Sequence, residues 1–278
     1  MIALLRNALD LLDEQGRAEV LQFIYSQQNP DGGFKDRGGR SDLYYSLFGG
    51  MILKTINSSL NPPKGDFDNH SKIKFRKFIK EQNVNLSSGF IEKCCLVLLQ
   101  KELKIGRTSR IRNLFLLGRL FWKERYSINL SYQSFVLFLT LDAVFPFKRI
   151  LKLTIKKMLL HAIVDQNSPC AEVAARVFLL KMLEKDGLEE QDLLKSFACD
   201  SGGFKAFQHL QQGDMLSTAV ALFALRYAGC DLRLLKPACL DFIEQHFSDG
   251  AFLSGDGDPT ADVEYTFYGL LALGVLAD

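Results

Sequence analysis

Apolar residues are bunched along this 278-residue chain rather than spread evenly. Very apolar segments recur near 42–54, 92–103, 130–142, 170–183, 214–228 and 262–276, spaced by about 40–50 residues. Between them lie more charged segments with one apolar face, near 17–28, 71–82, 108–122, 148–162, 188–198 and 234–247. A helix apolar all round must be buried, whereas an amphipathic helix keeps one wet face. Six of each in alternation predict an all-α fold with inner and outer helices paired around a closed ring, and no domain boundary interrupts residues 1–278, which are expected to form a single domain.

A repeated sequence sharpens this reading, because self-similarity at a fixed period marks repeat architectures. Asp31-Gly32-Gly33-Phe34 leads to Asp42-Leu43-Tyr44-Tyr45-Ser46, Ser201-Gly202-Gly203-Phe204 to Asp214-Met215-Leu216-Ser217-Thr218, and Asp249-Gly250-Ala251-Phe252 to Asp262-Val263-Glu264-Tyr265-Thr266. In register, Asp42, Asp214 and Asp262 coincide, as do Ser46, Thr218 and Thr266, and then Gly49, Ala221 and Gly269. Asn29-Pro30-Asp31-Gly32-Gly33 ends an outer helix with residues suited to turns and positive φ. Ser41 or Asp42, Asp214 and Asp262 stand where an N-cap or first-turn acid belongs. The middle copies are worn, Ser88-Gly89-Phe90 keeping only Gly-Phe, and Ser58 to His70, with two prolines, is expected to be a surface loop.

Bulk composition adds exclusions. A formal net charge of +2 argues against nucleic acid as a partner. Cys94, Cys95, Cys170, Cys199, Cys230 and Cys239 show no C-x-x-C spacing, and most lie in or beside apolar helical stretches, which points to reduced thiols and a cytoplasmic setting. The first residues, Met1 to Arg6, bring a charge early and no cleavage-type site, so they are expected to be helical and not a signal peptide. No apolar run reaches the roughly 18 residues of a membrane span. Phe is abundant at 22 residues, which suits either a packed core or an aromatic-lined cavity.

Tyr25-Ser26-Gln27-Gln28-Asn29-Pro30-Asp31-Gly32-Gly33-Phe34 resembles the Q-x-x-D-G-G-F/W repeat of squalene cyclases and protein prenyltransferase β-subunits. The resemblance implies an α6/α6 toroid of six concentric helix pairs, whose central cavity opens where the loops enter the inner helices, beside Asp42, Asp214 and Asp262. Asp36 to Tyr45 and Gly257 to Thr266 are similar to stretches of the prenyltransferase β-subunits. In that family a D-x-C triplet and the His of D-x-x-H-T hold zinc, which activates a thiol. Here Asp214 keeps the aspartate's place, but Leu216 stands for the Cys and Tyr265 for the His, and Gln208 and Gln211 replace the basic residues expected to grip a diphosphate. Zinc needs N or S donors at tight geometry, so a zinc-dependent protein prenyltransferase is not expected, and neither metal nor cofactor is called for.

The cyclase branch implies a different chemistry, protonation of an alkene or epoxide by the middle acid of D-x-D-D-T-A. That motif falls on Asp262-Val263-Glu264-Tyr265-Thr266-Phe267, with Glu264 as donor and Asp262 as helper; a shifted match, Asp256-Gly257-Asp258-Pro259-Thr260-Ala261, adds Asp258. Against this chemistry, class II cyclases place their site between two such barrels, and this chain supplies one. Asp42, Tyr45, Asp214, Tyr265, Tyr268 and His209 are expected to line the cavity, the tyrosines offering ring faces to a cation. The expected activity is metal-free, acid-catalysed cyclisation of an isoprenoid or other hydrophobic small molecule. The alternative is a non-catalytic toroid that binds a hydrophobic ligand or a protein. Basic runs at Lys72, Lys74, Arg76, Lys77 and Lys80, and from Arg107 to Arg125, suit a solvated face, an acidic protein partner or membrane headgroups.

Overall fold

In the computed structural model the described residues are 1–58, 67–82, 89–104, 116–120 and 164–277, with 123, 136, 137, 139, 140, 143 and 156 between them. Within these the chain is helical apart from turns and four two-residue strands. The N-terminal segment forms α1 (Ile2–Leu11) and the first amphipathic segment α2 (Glu14–Ser26). The apolar set is α3 (Leu43–Ser58), α5 (Phe90–Glu102), α6 (Cys170–Met182), α8 (Met215–Ala228) and α10 (Val263–Leu276). Its amphipathic partners are α4 (Phe67–Glu81), α7 (Leu188–Lys195) and α9 (Lys236–Gln245). Eleven of the fourteen residues of α10 are buried, against three of ten in α9, which separates inner from outer helices as the hydropathy pattern predicts. Residues 116–120 are helical as expected, while most of the helices expected near 108–122, 130–142 and 148–162 lie outside the described residues. Both ends of the loop expected from Ser58 to His70 are helical, Ser58 closing α3 and Phe67 to His70 opening α4, and residues 59–66 between them lie outside the described residues. Among the described residues no helix is long and apolar enough to cross a membrane.

Two compact units emerge, each discontinuous in sequence: Met1–Gln27, Phe48–Gly65 and Val164–Asp278 form the first, Gln28–Leu47 and Asp66–Ile163 the second. In the first, α8 lies between α6 and α10, and α1 runs along α10. Gly274 of α10 meets the backbone of Leu4 so closely that any Cβ would overlap it. In the second, α4 packs on α5, and Phe90, Cys94 and Val97 form a core with Leu117, Leu120 and Leu137.

The repeated loops are built alike. Strands β1 (Phe34–Lys35) and β2 (Ser41–Asp42) pair with Phe34 opposite Asp42, and Phe204 bridges Asp214 in the same way. The turn before each phenylalanine also matches: Asn29 N–H donates to Gly33 O (2.8 Å) and Cys199 N–H to Gly203 O (3.0 Å). The last copy is one residue tighter, a hairpin of β3 (Phe247–Ser248) and β4 (Ala251–Phe252). Its Asp249 and Gly250 both have positive φ (51° and 77°), the Asp-Gly signature of a type I′ turn. Phe34, Phe204 and Phe252 are at most 1% exposed, each contributing about 2–3 kcal/mol by burial.

The second glycine-loop position explains why the motif requires Gly. A Cβ at Gly32 would collide with the backbone of Lys74 in α4, at Gly202 with Ala238 in α9, and at Gly250 with Glu19 in α2. Each loop thus seats directly on the backbone of a neighbouring outer helix. The last repeat seats on the first outer helix.

Candidate functional site

The three in-register aspartates are helix caps. Asp214 caps α8, its Oδ2 accepting from Ser217 N–H (2.7 Å) and from Ser217 Oγ (2.6 Å). Asp262 caps α10 through Tyr265 N–H (2.8 Å) and is 4% exposed. Asp42 accepts from Tyr44 N–H (2.7 Å) and Tyr45 N–H (3.1 Å) at the start of α3. Each carboxylate meets amide donors that a helix leaves without intrahelical partners, at the positive end of its dipole.

The coincident hydroxyls have an equally specific task. Thr218 Oγ1 donates to Asp214 O (2.7 Å) and accepts from Phe204 N–H (2.8 Å). Thr266 does the same for Asp262 O (2.7 Å) and Phe252 N–H (3.3 Å), and Ser46 Oγ accepts from Phe34 N–H (2.9 Å). Gly269 is small because Phe252 lies against it. The repeat therefore encodes a lock between loop and inner helix.

The electrostatics of the fifth and sixth loops differ from this background. Met215 N–H donates to Ser254 O (2.7 Å), tying the 254–258 loop to the start of α8. Burial raises the Asp214 carboxyl above its ordinary range; the Ser217 hydroxyl and amide oppose this, and the nearby Asp256 charge adds to it. Asp256 is held below its ordinary range by the Ser254 hydroxyl and the Asp258 amide. Two neighbouring acids are thus pushed in opposite directions, Asp214 by burial and the exposed Asp256 by its hydrogen bonds.

Of the other expected site residues, Glu264 is half-buried in the first turn of α10. Asp258 is half-buried in the preceding loop, where it accepts from Thr260 N–H (2.9 Å). Tyr265 is half-buried beside its cap. Tyr268 is buried against Phe48 (5.5 Å between ring centres) and Phe267 (5.5 Å), with Phe48 and Phe267 at 4.7 Å: an aromatic trio on two inner helices. Tyr45 is half-buried, edge-on to Tyr44 at 6.0 Å. His209 is exposed and stacks on Phe207 at 5.7 Å. Leu216 and Tyr265, where the resemblance would put zinc ligands, are half-buried at the starts of α8 and α10.

Two residues of interest escaped the sequence reading. Lys93 is only 7% exposed on inner helix α5, between Glu92 and the apolar run from Cys94 to Leu99. Asp256 stands out in the sequence only as the first acid of the shifted match Asp256-Gly257-Asp258.

The profile of the prenyltransferase alpha-alpha toroid domain matches residues 2–117 and 173–278. The chain's fold is similar to that of the type II terpene cyclase MstE from Scytonema without ligand, at 13% identity, covering 98% of each chain with a TM-score of 0.57. An aspartate-to-alanine variant of MstE in complex with merosterolic acid A, its product, gives 12% identity, 98% of this chain and 97% of that one, and a TM-score of 0.58. A tyrosine-to-phenylalanine variant without ligand gives 11%, 98%, 97% and 0.56. No curated protein sequence matches significantly. Identities this low speak to fold alone. The mutual coverage corrects one expectation, since a protein called a type II terpene cyclase spans about the length of this one chain.

Proposed function

This chain belongs to the prenyltransferase alpha-alpha toroid domain family, and from that membership we propose that it binds a linear isoprenoid or related terpenoid and cyclises it by acid catalysis. The observation that carries the reading is the near-complete fold match, over 98% of both chains, to a type II terpene cyclase. Leu216 and Tyr265 in place of Cys and His argue against the thiolate chemistry of protein prenylation.

In the proposed reaction Glu264 gives its proton to a terminal alkene or epoxide. The resulting cation is attacked by the next double bond, the cyclic cation loses a proton to water, and solvent reprotonates the Glu264 carboxylate, so the product is an isomer of the substrate. Asp262, whose side chain is committed to Tyr265 N–H, positions the first turn of α10 rather than donating. The Phe48, Phe267 and Tyr268 rings supply the aromatic surface that a developing carbocation requires. The raised Asp214 carboxyl is a second acid able to hold a proton.

The test is incubation with polyprenyl alkenes and epoxides in D2O, read by gas chromatography and mass spectrometry. Cyclic products carrying one carbon-bound deuteron, lost in Glu264→Gln with the fold intact, are expected. Undiminished turnover in that variant would remove Glu264 from the donor role. A second reading, a non-catalytic toroid that binds a hydrophobic ligand, is favoured by one observation: all three in-register aspartates are occupied as caps. Saturable binding of a fluorescent polyprenol with no isomer formed across the panel would select it.

A further inference from the structure

The net charge of +2 conceals a strong segregation. Residues 28–47 and 66–163, the second unit, hold 22 Lys and Arg against 10 Asp and Glu, a formal +12; the remainder holds 12 against 22, a formal −10. Part of that positive charge is displayed on α4. One side of this helix is buried through Ser71, Phe75, Phe78 and Ile79, with Phe75 edge-on to Phe34 at 5.5 Å. The other side presents Ile73, Arg76, Lys77 and Lys80 to solvent, at the i, i+3, i+4 and i+7 spacing of a single helical stripe; Arg76 also donates to Leu103 O (2.7 Å), and Lys77 lies 3.9 Å from the exposed Glu81, a solvent-screened pair that leaves the stripe net positive. Ile73 is 66% exposed. Arg119, Lys123 and Lys156 of the same unit are also exposed.

A lone exposed apolar side chain needs no explanation. One set a single turn from three cations, on a helix whose own apolar face is buried in the protein, joins the two elements of an interfacial contact: cations to meet anionic headgroups and an apolar side chain to enter below them. We propose that the α4 face of the second unit docks on an anionic lipid bilayer. A nucleic acid or an acidic protein would use the cations but would gain little from Ile73. The proposal holds whichever chemistry the first unit performs, and its test does not involve turnover.

The probe is flotation of the purified chain with phosphatidylcholine vesicles, with and without about 30 mol% phosphatidylglycerol, at about 0.05 M and 0.5 M salt. Binding is expected only to the anionic vesicles and is expected to weaken in the higher salt. Lys77→Ala with Lys80→Ala should lower the partition about 25-fold, roughly fivefold for each lysine near a charged surface. Ile73→Ser should weaken it further at unchanged charge. All three positions are exposed, and unchanged thermal melting of the variants checks the fold. No partition onto anionic vesicles, equal partition onto neutral ones, or an undiminished double variant would overturn the proposal. So would an Ile73→Ser variant that binds as the parent does, or preferential capture by duplex DNA over the anionic vesicles.

Discussion

Replacing Thr218 by Val keeps the shape of the side chain and deletes the hydroxyl that locks the fifth loop to α8. Thr218 and Phe204 are fully buried, and Oγ1 is 2.8 Å from the Phe204 amide nitrogen. The carbonyl of Asp214 keeps a partner, because Thr218 N–H also donates to it at 2.8 Å. The Phe204 amide loses its acceptor, and leaving a buried donor unsatisfied costs about 1–3 kcal/mol. A methyl in the oxygen's place also sits too near that nitrogen, so a total of about 2–3 kcal/mol is expected. Thr218→Ser retains both hydrogen bonds and loses one methyl, about 1 kcal/mol. In thermal melting followed by circular dichroism, the valine variant should fall by about 5–10 °C, at roughly 2–4 °C per kcal/mol, and the serine variant by about half as much or less. Hydrogen exchange at the Phe204 amide should accelerate in the valine variant alone. A valine variant as stable as the parent, or a serine variant worse than the valine, would refute the lock.

The remaining expectations use the same measurements. Thr266→Val should cost less than Thr218→Val, because its bond to the Phe252 amide is longer at 3.3 Å. Gly250→Ala and Gly257→Ala share positive φ, but only Gly250 faces backbone; about 1–2 kcal/mol is expected at Gly257, in open space, and at least about 3 kcal/mol at Gly250, read from urea midpoints. Asp214 has a folded pKa above its usual 3.8, so the folded state binds more protons there than the unfolded one, and this group subtracts stability as pH rises from 3.8 through the folded value. Asp214→Asn, still a good cap, should flatten that part of the stability–pH curve; an unchanged curve would remove Asp214 as its source. Asp262→Asn should retain stability and any cyclising activity, whereas Asp262→Ala should lose about 1 kcal/mol.

The alternation of apolar and amphipathic segments was enough to place every inner helix among the described residues to within a few residues, because burial on all sides leaves no polar face in the sequence. The caps were legible too, since an aspartate before an apolar run has few other structural uses. The use of Ser46, Thr218 and Thr266 was not. Their alignment was plain, but the partner of each hydroxyl is a phenylalanine amide 12 or 14 residues upstream, and no local propensity reports it. Asp256 and Asp214 are 42 positions apart, and only the folded loops make their charges neighbours. Lys93 was hidden by its company, since a Glu92-Lys93 pair in the first turn of a helix reads as its solvated end until burial is seen.

Gly250 seated on Glu19 has a consequence for synthesis. The two residues are 231 positions apart, so the first outer helix leaves the ribosome without the loop that covers its backbone. At about 5–20 residues per second that helix waits roughly 10–50 s for its cover. During that interval the apolar stripe of α2, Val20 and Ile24, has no final partner in the last repeat, and nascent chains are then most exposed to chaperones and to one another. Slowing translation late in the message should therefore lower soluble yield more than slowing it early.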